Sequence, residues 1–164
     1  MVQCAEYHAP IGPLLLTSDG EALTGLWMDR ETPEHAVSLE ALPVFQKAGK
    51  WLDTYFQGVD KRIDFPLAPE GTFFQQQVWE LLLQIPYGET STYGTLAREV
   101  AKRTGKGKMS AQAVGGAVGR NPISIIIPCH RVIGAQGQLT GYAGGINKKV
   151  WLLRHEGWKG KERI

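Results

Sequence analysis

Cysteine is scarce in this chain: two residues, Cys4 and Cys129, lie far apart among 164. They form no paired spacing, so nothing points to the disulfide framework of a small secreted domain or to a zinc site of paired cysteines and histidines. Long apolar runs are missing as well. No stretch reaches the roughly 20 apolar residues needed to span a bilayer, and the opening residues have neither a basic flank nor a long apolar core. These absences predict a soluble, intracellular protein. The chain also lacks a marked excess of one charge, with 18 Lys and Arg against 16 Asp and Glu. A polyanionic partner must therefore be argued from local charge. Internal repeats and low-complexity segments are absent. What remains, 43% hydrophobic and 21% charged residues, is ordinary globular composition, and a chain of this size buries about 70% of the surface its unfolded form exposes.

From Val2 to Met28, short apolar runs alternate with turn residues: Leu14-Leu15-Leu16, then Ser18-Asp19-Gly20, then Leu23 to Trp27. This pattern predicts a small antiparallel sheet with a hairpin near Asp19-Gly20. Thr32-Pro33 reads as a helix start and Pro43 as an interruption. Val44, Ala48, Trp51, Leu52, Tyr55 and Phe56 recur at helical spacing, with Gly58 placed to end that helix. A strand is expected around Ile63-Asp64-Phe65, and Pro66 and Pro69 mark a linker. The expected organisation is an amino-terminal α/β domain with a small antiparallel sheet over residues 1–68 and a mainly α-helical domain over residues 69–164.

In the second domain, Thr72 and Gln75 form a capping-box pattern, and Phe74, Val78, Leu81, Leu82 and Ile85 mark the apolar face of a helix that Pro86 ends. A second helix begins near Ser91-Thr92, with Tyr93, Leu96, Ala97 and Val100 on its buried side. Ser110 caps a third, running to about Gly119. Helix, loop and helix outline a helix-turn-helix, although the loop exceeds the usual tight turn. That loop holds Lys102, Arg103, Lys106 and Lys108, which either bind phosphates or form a solvated, flexible segment. The third helix contains Gly115, Gly116 and Gly119. Each glycine costs about 1 kcal/mol against alanine in a helix interior. A close approach is therefore expected, either to a neighbouring helix or to a nucleic-acid groove.

Reactive chemistry concentrates at Ile127-Pro128-Cys129-His130-Arg131-Val132. Ile123, Ile125, Ile126 and Ile127 read as a buried strand bounded by Pro122 and Pro128. Pro128 removes an N–H and fixes its own φ, so the chain turns directly before the thiol. A thiol of ordinary pKa is mostly protonated at neutral pH, and only the thiolate is a good nucleophile. The adjacent His130, oriented by a carboxylate, would supply a base. The alternative is an inert core thiol, against which the flanking proline, histidine and arginine weigh.

Asn121-Pro122, Pro128-Cys129-His130-Arg131-Val132, Gly141-Tyr142-Ala143-Gly144-Gly145 and Trp151-Leu152-Leu153-Arg154-His155-Glu156-Gly157 resemble the O6-alkylguanine-DNA alkyltransferases, also called methylated-DNA-protein-cysteine methyltransferases. The likeness extends more loosely to the start of the chain. It implies direct, irreversible transfer of an alkyl group from O6-alkylguanine, or the related O4-alkylthymine, to Cys129. One protein repairs one lesion and needs no cofactor. It further implies a catalytic set of Cys129, His130, Glu156 and Tyr93, with Glu156 orienting His130. The third helix would enter the minor groove of double-stranded DNA with Gln112 where the family has an arginine, followed by Ala113. Arg131, Lys102, Arg103, Lys106, Lys108 and a hinge residue, Asn121, complete the DNA-contacting set. Tyr93, Ser124, Val132, Tyr142, Ala143 and Gly144 would line the pocket for the flipped base. Some family members carry an amino-terminal structural zinc, but Cys4 and His8 lack a second cysteine there, so no metal is expected. The protein would act as a monomer, off the membrane, in the cytoplasm or in a eukaryotic nucleus. Rival readings are a lesion sensor or helix-turn-helix regulator that never reacts, and a cysteine hydrolase that turns over.

Overall fold

The computed structural model describes residues 2–142 and 144–160. The chain forms two compact units: residues up to Glu70 together with Pro122–Ile126, and Gly71–Asn121 together with residues from Ile127 onward.

The first unit is built on β1 (Gln3–Ala9), β2 (Gly12–Ser18) and β3 (Leu23–Met28), antiparallel in that order. Asp19 makes the second hairpin, its Oδ1 accepting the N–H groups of Glu21 and Ala22, each at 2.9 Å. Leu14, Leu16, Leu23 and Leu26 are buried, as are Phe45, Ala48, Leu52 and Tyr55 of α1 (Pro43–Phe56), which packs on all three strands. Pro43 starts this helix and does not interrupt one. Its fixed φ suits the first helical position, where no N–H is required. No helix begins at Thr32-Pro33; a single 3₁₀ turn forms only at Leu39–Ala41. That stretch is largely exposed, so it has no apolar face to bury, and its turn is a single bond from the Ala36 N–H to the Pro33 carbonyl at 3.0 Å.

Two expected strands shrink to single bridges. Leu67 bridges Leu23, with the Leu23 N–H donating to the Pro66 carbonyl at 2.9 Å, but Ile63–Phe65 forms no strand. Pro66 and Pro69 remove donors that a longer ladder would need. Likewise Ile123 bridges Leu26, after which the chain turns through Ile125 at φ +71°. Ile123, Ile125, Ile126 and Ile127 are all buried, as their composition demands, but they are not an extended strand. A β-branched residue at positive φ is rare and costly.

The second unit holds α2 (Phe73–Leu82), α3 (Tyr93–Thr104), α4 (Ala111–Gly119) and α5 (Ile146–His155). The capping box at Thr72 and Gln75 is reciprocal, at 3.1 and 2.9 Å. Thr92 caps α3, and Ser110 caps α4 by accepting the Ala113 N–H at 2.9 Å. α2, α3 and α4 pack on one another through Val78, Leu82, Val100 and Val114. The Trp79 indole ties α2 to α4, donating to the Ala117 carbonyl at 2.9 Å. The short strand beside the cysteine comes after it: β5 (Val132–Ile133) runs parallel to β4 (Ser91–Thr92).

α3 continues through Lys102, Arg103 and Thr104, so the basic loop begins later than its composition suggests. Gly105 ends the helix in the left-handed region at φ +71°, and the Lys106 N–H reaches back to the Ala101 carbonyl at 3.0 Å. The glycines of α4 divide in purpose. A Cβ on Gly115 would meet the Tyr93 ring at 3.6 Å, whereas nothing lies within 4 Å of one on Gly116 or Gly119. Packing against a neighbouring helix therefore explains at most Gly115. Among the described residues, no helix is long and apolar enough to cross a membrane.

Trp79→Phe removes the indole donor and leaves a small void where α2 meets α4. It should lower unfolding stability by about 1–3 kcal/mol, read as a lower denaturant midpoint at unchanged slope. An unchanged midpoint would show that α4 is held without this bond.

Candidate active site

Cys129 opens a single 3₁₀ turn, Cys129–Arg131, that leads directly into β5. The Ile127 carbonyl holds the turn in place, accepting the Cys129 N–H and the Asn121 Nδ2–H, each at 2.8 Å. Asn121, expected as a hinge, is thus a buried clamp on the residue two before the thiol. Cys129 is 6% exposed. Burial pushes its thiol up from the ordinary value, while the Asn121 amide and the Lys149 charge beside it oppose that rise. At rest the sulfur is a protonated, shielded thiol that needs a base.

His130 is fully buried, with Nε2 2.6 Å from Glu156 Oε2. Burial lowers its pKa, aided by the charges of Arg131 and Lys149 and resisted by Glu156, so the imidazole is neutral at pH 7. An ionised carboxylate only accepts hydrogen bonds, which puts the single ring proton on Nε2. Nδ1 is left as a lone-pair acceptor, and it has no hydrogen-bond partner among the described residues.

Glu156 ends α5 and is buried. Burial alone would push its carboxyl up. The hydrogen bond and charge of His130, then those of Arg131, outweigh it and hold the group well below the ordinary carboxylate range. With His130 neutral, the lasting countercharge is Arg131, which grips the carboxylate through Nε at 2.7 Å and a second nitrogen at 3.1 Å. Its third nitrogen, Nη1, donates to the Ile85 carbonyl at 2.7 Å. Arg131 is only 8% exposed. This removes it from the DNA-contacting set expected from sequence, because its fork is spent inside the protein. Arg103 is also engaged, 2.9 Å from Glu80 on α2.

Sequence reasoning missed Lys149. It is fully buried, and its ammonium donates to the carbonyls of Val132 at 2.6 Å and Thr140 at 3.0 Å, pinning β5 to the segment before Gly141. Burial lowers its pKa to about 8, resisted by the nearby Cys129. A signal existed: Lys149 lies three and four residues before Leu152 and Leu153, on the buried stripe of α5.

A separate cavity of about 650 Å³ is lined by Tyr93, Gln112, Gly115, Gly119, Thr140 and Tyr142, with neighbouring residues of the same segments. The Tyr93 hydroxyl reaches the Thr140 carbonyl at 3.5 Å. Gln112 and Ala113 are exposed on the first turn of α4. Of the other expected pocket residues, Val132 is fully buried in β5, Gly144 is half-buried, and Ser124 is buried within the amino-terminal unit. Ala143 lies outside the described residues. Lys102, Lys106 and Lys108 are exposed around a second cavity beside α3.

A buried thiol with a neutral imidazole next to it in the chain, carried on a unit with a helix-turn-helix outline, has the parts for cysteine chemistry on a nucleic acid. The comparisons with known proteins narrow the class. The DNA binding domain of 6-O-methylguanine DNA methyltransferase matches residues 73–158, and its ribonuclease-like domain matches residues 2–69. A methylated-DNA–protein-cysteine methyltransferase of Methanosarcina acetivorans is 49% identical, over 93% of this chain and 97% of its own. One from Mycobacterium leprae is 47% identical, over 95% and 93%. The Mycobacterium tuberculosis O6-methylguanine methyltransferase crystal structure matches with TM-score 0.80 and 46% identity, over 95% of this chain and 93% of that one. That of Mycobacterium tuberculosis OGT in complex with DNA matches equally, TM-score 0.80 at 46% identity, over 94% and 92%. The chain belongs to the O6-methylguanine DNA methyltransferase family.

Glu156→Gln should destabilise the protein by about 3–5 kcal/mol at neutral pH, since Arg131 is then buried without its countercharge. The depressed carboxyl pKa fixes the sign of the pH dependence. The wild-type advantage is complete above about pH 4.3, the unfolded carboxyl value, and is lost as pH falls below it toward the folded value. Denaturant midpoints of the two proteins between pH 7 and pH 3 should therefore converge. A gap that stays constant with pH would assign the loss to packing.

Proposed function

We propose that the protein repairs DNA by moving the alkyl group of O6-alkylguanine onto Cys129, once per molecule. Membership of the family and the likeness to a relative solved with DNA support this reading. The observation that carries the chemistry is the buried Nδ1 of His130, left with lone-pair capacity next in sequence to the thiol. Nδ1 takes the Cys129 proton, directly or through a water. The resulting imidazolium is stabilised by Glu156, whose charge Arg131 maintains. The thiolate attacks the alkyl carbon in line: the S–C bond forms as the C–O6 bond breaks. Guanine leaves with negative charge that is neutralised by a proton from the Tyr93 hydroxyl, which is restored by the proton taken from Cys129. In sum, one proton moves from sulfur to base. A thioether has no good leaving group, so no hydrolytic step follows and the protein is consumed.

The damaged nucleotide must leave the duplex, at a cost of a few kcal/mol. The cavity lined by Tyr93, Gln112 and Tyr142 has the size and aromatic walls to receive a base; Cys129 is not in its lining, so transfer requires the alkyl group to reach past these walls to the sulfur. The open side of Gly116 and Gly119 on α4 suits close approach of the backbone to a minor groove. Gln112 stands where the family has an arginine. It can hydrogen-bond the orphaned base but brings neither charge nor a guanidinium plane. All groups assigned to the reaction come from one chain, so a monomer suffices. Its place of work is that of the DNA, cytoplasmic in a prokaryote and nuclear in a eukaryote.

Intact-mass measurement after exposure to an O6-methylguanine oligonucleotide tests the transfer. A single methyl group on Cys129, absent in Cys129→Ala, is expected. Continued product formation beyond one equivalent would indicate a hydrolase, and stable binding without modification a sensor.

Gln112→Arg adds the missing cation. Duplex repair should quicken by roughly 3- to 10-fold, as about 1 kcal/mol of added charge and stacking contact would give, so the ratio of the duplex rate to that on free O6-benzylguanine rises. An unchanged ratio would show that position 112 plays no part in holding the opened duplex.

A further inference from the structure

The cavity beside α3 is not needed for the chemistry above, yet it gathers charge of one sign. It measures about 520 Å³ and is lined by Arg98, Lys102, Lys106, Lys108, Met109 and Ser110, with small residues between them and no carboxylate among the lining residues. Arg98 and Lys102 stand one turn apart on α3, while Lys106 and Lys108 come from the connection to α4. Among the described residues, the one ion pair made by this lining joins Lys102 to the exposed Glu99 at 3.6 Å, a surface pair worth little. Like charges held this close repel one another. The left-handed Gly105 and the Lys106 N–H bond to Ala101 nevertheless turn the connection back toward α3. The amino-terminal end of α4 closes the same cavity through its cap, Ser110. The cap satisfies the Ala113 N–H and leaves the first-turn amides of Ala111 and Gln112 without helical acceptors.

We infer that this cavity is a dedicated site for a phosphodiester of the duplex backbone, separate from the lesion pocket and formed by the lengthened α3–α4 connection. It deepens the DNA-repair reading and rests on it for the identity of the polyanion. Position along α4 favours a strand over a small free anion. Ser110 lines this cavity and Gln112 lines the lesion-side cavity. They lie two residues apart at one helix end, about 3 Å along its axis and about 200° apart around it, so the two cavities open on different sides of that end. A duplex backbone passing over the helix end can reach both, which a small free anion cannot. The site supplies from the connection a charge that Gln112 does not supply from the helix. It is also selective within the basic run. Arg103, in the same sequence cluster, is turned to Glu80 on α2 and lies outside the lining.

The test is the salt dependence of binding to a lesion-free duplex oligonucleotide, followed by fluorescence anisotropy from low to moderate NaCl. Each phosphate contact contributes about 0.9 to the slope of log affinity against log salt. The double variant Lys106→Ala/Lys108→Ala should lower the slope by about 1 to 2, Arg98→Ala by about 1, and Arg103→Ala by none. Thermal unfolding midpoints check that each variant is folded. An unchanged slope in both the double variant and Arg98→Ala overturns the site, as does an equal loss in Arg103→Ala, which would mean diffuse attraction by the whole basic run. Lesion-free DNA keeps the readout independent of Cys129. Failure here would leave the alkyl-transfer reading standing, and failure of transfer would not alter the slopes.

Discussion

An ionised carboxylate removed from water costs several kcal/mol unless a countercharge and well-aimed hydrogen bonds replace its hydration. At Glu156 both are present: a two-pronged Arg131 and the Nε2–H of His130. Much of the second unit follows from that constraint. Arg131 must be buried, so its third nitrogen has to find the Ile85 carbonyl after α2. The imidazole must carry its proton on Nε2, so the buried Nδ1 keeps its lone pair and has no hydrogen-bond partner among the described residues. The turn that presents Cys129 therefore sits between a fixed carbonyl at Ile127 and a fixed imidazole at position 130. One charged cluster sets the tautomer, the ring orientation and the path of the chain past the sulfur.

The thiol in this arrangement is not an exposed thiolate awaiting any electrophile. Burial pushes the thiol up and the neighbouring imidazole down, so both are neutral at rest. A nucleophile that can be used only once is guarded from adventitious alkylation and oxidation by the same desolvation. Lys149 adds to this control. Its ammonium holds the carbonyls of Val132 and Thr140 and places a positive charge near the sulfur, favouring the thiolate once the proton leaves.

Legibility in the sequence followed the range of the interaction. The caps at Thr72, Thr92 and Ser110 are bonds across three residues, and each lies where its residue type suggested. The hairpin at Asp19 is equally local. The isoleucine run was legible as buried but not in its path. Burial depends on composition, whereas the left-handed Ile125 depends on what surrounds it. Ile63–Phe65 looked like a strand because β-branched and aromatic residues favour one, yet a ladder needs a partner, and only Leu67 finds one.

The division is sharpest among the charged residues of the site. By itself the sequence determined the motif that places a thiol between a proline and a histidine, the helix-turn-helix outline and most of the local signals that begin and end the helices, because these depend on residue type and on spacings of a few positions. Tertiary structure alone decided that Arg131 faces inward to Glu156, that Arg103 pairs with Glu80, that Lys149 is buried, and that Lys106 and Lys108 stand around an unneutralised cavity. The work of a charge is set by the distance to its nearest countercharge and by how much water remains around it. Neither quantity exists until segments 25 or 46 residues apart, as at Arg131 with Glu156 and Ile85, are brought within 3 Å of each other.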